Sequence, residues 1–141
     1  MTIEEIKNVI LDPAILEQWR QTATEWNGTD QAGREACIAH VVRRREHIIK
    51  SLQDISDADQ MVESLAIVYI ETKSEWIMLN TMVNYQLMRH GEGDGEAVLR
   101  AALVSSLLMT VERMLTTKDI QAITNFLAAP TRPPELGSVA A

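Results

Sequence analysis

Residues 61–88 read MVESLAIVYIETKSEWIMLNTMVNYQLM. Met61, Leu65, Val68, Tyr69, Thr72, Trp76, Leu79, Val83 and Leu87 fall on one stripe at the 3.6-residue period, which predicts a long α-helix. A second apolar set, Ile67, Ile70, Ile77, Met78, Tyr85 and Met88, lies largely on the opposite side. A helix that is apolar on two faces has to be covered twice, by sitting at the centre of a bundle or by meeting a second polypeptide. Ser56 is the expected cap before this helix, with Asp59 at the third helical position, and the run His90-Gly91-Glu92-Gly93-Asp94-Gly95 ends it.

Downstream, Glu96 to Thr116 repeats the problem. Leu99, Leu103, Leu107 and Met114 face one way, and Ala101, Val104, Leu108 and Leu115 the other. Two doubly apolar helices cannot easily both be central in so small a domain. Some of their surface, represented by Ile67, Ile70, Ile77, Met78, Tyr85, Met88, Val104, Leu108 and Leu115, is therefore expected to meet a partner, and a symmetric homodimer is the commonest cover. Thr117 is read as the cap of a short last helix carrying Ile120, Ile123 and Leu127, which Pro130 stops.

Upstream, Thr2-Ile3-Glu4-Glu5 has the form of a capping box for a helix to about Leu11, and Asp12-Pro13 restarts it. Ile15, Leu16, Trp19, Ala23 and Trp26 continue at helical spacing, with Asn27-Gly28 as the expected left-handed stop. Thr29 or Asp30 caps a helix to about Leu52 with Ile38, Val41, Val42, Ile48, Ile49, Leu52 and Ile55 as its stripe. No stretch alternates as a strand would, and no repeat is present. The expected architecture is all-α: a five-helix bundle with three long helices, in an oligomer, with one domain over 1–129 and an extended or mobile tail over 130–141.

Composition agrees with that class. Of 141 residues, 46% are hydrophobic and 23% charged, with only six aromatics among many aliphatics, a mixture that favours helices over strands. Cys37 is the single cysteine, so no intrachain disulfide can form, and a reducing, cytoplasmic location is expected. The first residues lack the basic-then-apolar order of a signal peptide, and the charge-free apolar stretch Ala101–Val111 is too short to span a bilayer. The net charge of −7 argues against nucleic-acid binding, which needs clustered cations. That charge is uneven: residues 31–53 hold five bases and two acids, between two acid-rich segments.

Arg45 lies within the stripe of its helix, where an unpaired charge would be costly, so Glu71 or Glu75 is expected to meet it in a buried ion pair. Arg43, Arg44 and Arg45 fan over about 200° of a helix and make no single cationic stripe. Cys37 and His40 resemble half a zinc site, but His47 is about 10.5 Å along the axis from His40 and nothing completes a tetrahedral set. No metal, cofactor or catalytic constellation is expected. The glycine-rich run after His90 carries three carboxylates, which would repel phosphate; it is read as a flexible loop ending in an Asp94 cap.

These features point to a non-catalytic regulator, adaptor or assembly protein acting by protein–protein contact, as a homodimer or with another protein. Two alternatives are weighed beside it. One is a bundle holding a small apolar ligand in a pocket lined by Trp76, Tyr69 and the methionines. The other is an acidic inhibitor that mimics nucleic acid, resting on the acid-rich segments 1–30 and 54–75.

Overall fold

The computed structural model describes residues 1–129, and the tail expected over 130–141 lies outside them. Six helical segments follow in order: α1 (Ile3–Leu11), α2 (Pro13–Thr24), α3 (Gln31–Leu52), α4 (Ala58–His90), α5 (Gly95–Met114) and α6 (Thr117–Ala128). Only Asp12 separates α1 from α2, closing the first and capping the second through a 3.0 Å bond from Ala14 N–H. Counted as one interrupted helix, this pair gives the five helices expected. Three are long: α3, α4 and α5 have 22, 33 and 20 residues.

Side chains close nearly every helix start. Thr2, Asp12, Asp30, Asp57, Asp94 and Thr116 each accept a backbone N–H of the first turn. Two caps sit one residue from the position read from sequence: Asp57 follows Ser56, and Thr116 precedes Thr117. Thr116 and Asp119 form a complete capping box, so the preceding residue wins because it has the acid at N3. The expected stop at Asn27-Gly28 is not what ends α2. That helix closes at Thr24, and among the described residues the left-handed glycine is Gly91 (φ 79°), whose N–H bonds Leu87 O at 2.9 Å to terminate α4.

The four residues between α4 and α5 fold the two helices back on each other, and their contact is the most extensive in the molecule. α5 also packs on α3 and α1. It is therefore the central helix, with Leu99, Leu103, Val104, Leu107 and Val111 fully enclosed. Val104, Leu108 and Leu115, expected at an interaction surface, are buried inside the single chain. The second face of α5 is covered by α1 and α3, and this corrects the expectation.

α4 has a different fate. At 1.5 Å per residue it is about 50 Å long, against about 30 Å for α5. Met61, Leu65, Val68, Tyr69, Thr72 and Leu79 are buried against the bundle, as the main stripe predicted. Toward the end the same stripe opens: Trp76 and Val83 are half-buried and Leu87 is exposed. No helix of the described residues covers the opposite face.

Candidate functional site

A polar cluster ties α4 to the side of α3. On α3 the fully inward line is Gly33, Cys37, Val41, Arg45, Ile48 and Leu52, so Ile38, Val42 and Ile49 are only partly buried beside it. α4 meets the flank of α3 formed by His40 and Arg44. The Glu75 carboxylate contacts His40 Nε2 with one oxygen and takes Arg44 Nε at 3.1 Å with the other. Both of its oxygens are engaged by α3. Glu71, one turn earlier, is exposed beside a shallow groove shared with His47 and Ser51.

Arg45 is buried as expected (7% exposed), but neither Glu71 nor Glu75 meets it. It points to the α1–α2 junction, where Nη2 reaches Asp12 O at a long 3.5 Å and Nε has no partner. Burial pulls its pKa below the usual arginine range, and the nearby charges of Glu46 and Asp12 oppose that shift. The position has a physical logic. α1 has no basic residue in its own last turn, and Arg45 supplies the cation at the negative end of that helix. The three consecutive arginines thus diverge: Arg43 is exposed, Arg44 binds Glu75, and Arg45 caps α1.

Cys37 is fully buried, its thiol donating to Glu96 O at 3.4 Å. Burial pushes the thiol pKa up, with the Arg100 guanidinium opposing. A raised pKa leaves even less thiolate at neutral pH, and the chain blocks access as well. Alkylation of Cys37 by iodoacetamide at pH 8 is expected to be about a thousand-fold slower in the folded protein than in denaturant. Equal rates, followed by mass spectrometry, would show that the site is open.

The three clearest depressions of the described surface do not match the ligand pocket expected between the long helices. Tyr69 is enclosed by packing. Depressions of about 550, 310 and 190 Å³ lie between α2 and α3, between α2 and α5, and between α3 and α4; none is lined by Trp76 or Tyr69, and of the methionines Met109 alone borders one, that between α2 and α5.

The outward face of α4 is the feature that packing does not explain. Ile67 (53% exposed), Ile77 (50%), Met78 (63%), Tyr85 (60%) and Met88 (88%) stand in solvent, with Met82 beside them and Ile70 half-buried at the edge. Six of the nine residues expected at an interaction surface are thus brought together on one helix, and the three from α5 are not. Reading the sequence residue by residue missed one signal. From Trp76 to Met88 the chain has no charged residue, although about half of this segment's side chains are exposed. A solvated helix face is normally charged or polar. Of the methionines grouped in the sequence, Met114 is core, whereas Met78, Met82, Met88 and Met109 are exposed.

The chain matches no protein-family model, and neither a curated protein nor a solved structure matches it.

Proposed function

We propose that the protein is a non-catalytic helical assembly or adaptor protein, working through polypeptide contact at the outward face of α4. The observation that carries this reading is the uncharged, half-exposed segment Trp76–Met88. If a fully exposed large side chain presents ~200 Å², Ile67, Ile77, Met78, Met82, Tyr85 and Met88 leave roughly 700 Å² bare. That exceeds the roughly 300–600 Å² of the largest patch on an ordinary monomer. It approaches the ~800 Å² that each partner contributes to a standard interface. No helix of the described residues is long and apolar enough to cross a membrane, and the lone, buried Cys37 supports work in the reducing cytoplasm.

Ile77→Glu puts a carboxylate at the middle of this face without touching the core. It is expected to leave helix content unchanged and to weaken association about a hundred-fold or more, since a partner would have to desolvate an unpaired charge. Sedimentation of the pure protein and affinity capture with the wild type and the variant measure this directly. Self-association and captured partners that are both indifferent to Ile77→Glu would remove the reading.

A further inference from the structure

The outward face of α4 has an internal symmetry that identifies its occupant. Positions 67, 70, 74, 77 and 81 follow the 3-4-3-4 spacing of a coiled-coil seam, which Met88 closes one heptad after Thr81. With Met78 and Tyr85 at the seam's edge, the same positions read identically from either end about a midpoint between Ile77 and Met78. Laid antiparallel on a second copy, Ile67 meets the partner's Met88, Ile70 meets the partner's Tyr85, and Ile77 meets the partner's Met78. The two small residues also match, Ser74 against the partner's Thr81. Large side chains oppose large ones and small oppose small, as an isologous interface requires.

Charge selects the same direction. Glu71 and Arg89 are exposed on one edge of the face. Across an antiparallel pair, Glu71 and the partner's Arg89 lie on the same side, about 7.5 Å apart along the axis, within reach of two long side chains. A parallel two-fold carries this edge to the opposite side of the interface and leaves Glu71 and the partner's Arg89 about 27 Å apart along the axis, so the pairing is lost. Edge charges of this kind favour the orientation in which they pair.

We infer that the protein is a homodimer in which two α4 helices pack antiparallel through their outward faces, with the two-fold axis between Ile77 and Met78. This rests on α4 being the contact surface and adds the partner and its direction. Each α4 covers the other's bare segment over the seam from Ile67 to Met88, about 32 Å long.

Single cysteines test the arrangement under mild oxidation of the full-length chain, the buried Cys37 being left in place. In the dimer proposed, residue 67 lies about 32 Å from residue 67 of the other copy, whereas a disulfide needs Cα atoms within about 7 Å. Ile77→Cys is therefore expected to cross-link with itself. Ile67→Cys and Met88→Cys are each expected to stay uncross-linked alone and to form a heterodimer when mixed, at a yield about ten-fold above either alone.

Three other outcomes overturn the inference, and each reports differently on its premise. Self-cross-linking of Ile67→Cys and of Met88→Cys means parallel helices: the direction falls and the contact surface stands. A strict monomer whose α4 holds a different polypeptide, lost in Ile77→Glu, removes the second copy but not the surface. A dimer indifferent to Ile77→Glu and cross-linked by none of the three cysteines removes both.

Discussion

Arg45→Glu is expected to destabilise the fold by about 5 kcal/mol, and Glu75→Arg should not rescue it. Arg45 is enclosed among Val41, Ile48 and Leu52 of its own helix and the α1–α2 junction, with only the Asp12 carbonyl as a hydrogen-bond partner. A carboxylate there is a buried, uncompensated charge, which costs about 3–5 kcal/mol. It also faces the carbonyl end of α1, where a negative charge is disfavoured by up to ~1 kcal/mol more. Against the 5–15 kcal/mol that usually holds a domain together, this is most of the margin.

The second site discriminates between two pairings. Were Glu75 the partner of Arg45, exchanging the charges would recover part of the loss. Glu75 instead serves His40 and Arg44 on the adjacent flank of α3, so the double variant should be at least as unstable as the sum of the singles, to within about 0.5 kcal/mol. Arg45→Met keeps the length of the side chain and removes a charge that has little to bind. It should cost no more than about 1–2 kcal/mol. Urea unfolding of the wild type and the four variants gives all these values; recovery in the double variant would restore the pairing that the structure replaces.

Gly95→Ala should cost about 3 kcal/mol, although it substitutes a good helix former at the first position of α5. A Cβ on Gly95 would overlap the carbonyl group of Gly28, and backbone cannot swing aside as the end of a side chain can. The α2–α3 loop would have to withdraw. Trp26 Nε1, which donates to Gly95 O at 3.0 Å, would go with it. Overpacking of this kind costs about 1–3 kcal/mol and the lost bond about 1 kcal/mol, while the gain in helix propensity returns less than about 1 kcal/mol. Gly91→Ala is the control: nothing crowds that position, and its penalty comes only from the left-handed φ of 79°. A Gly95→Ala protein as stable as the wild type would mean that the loop does not rest on α5.

The same glycine shows where reading the chain alone falls short. Gly95 looks like one more flexible residue of a glycine-rich loop, because nothing near it in sequence announces Gly28, 67 positions earlier, as its neighbour. Gly28 in turn looks like a helix stop. A Cβ there would meet the indole of Trp26, held at 2.7 Å from that point as it reaches across to Gly95 O. Arg45 is a similar case. Its burial was legible from the apolar residues one turn either side of it. Its partner was not, since a rotation of α3 by one residue decides whether α4 meets position 45 or position 44.

Helix periods, caps and the interruption at Asp12-Pro13 follow from local sequence, because they depend on spacings of three and four residues and on side chains bonding their own backbone. The apolar excess was legible on the same ground, through two stripes on one helix. Periodicity cannot say which of two such helices the remaining segments will cover, since that depends on how the short helices dock. Packing settled it in favour of α5, burying Val104, Leu108 and Leu115 within the single chain, and left the outward face of α4 from Ile67 to Met88 bare, because no helix of the described residues docks on that side.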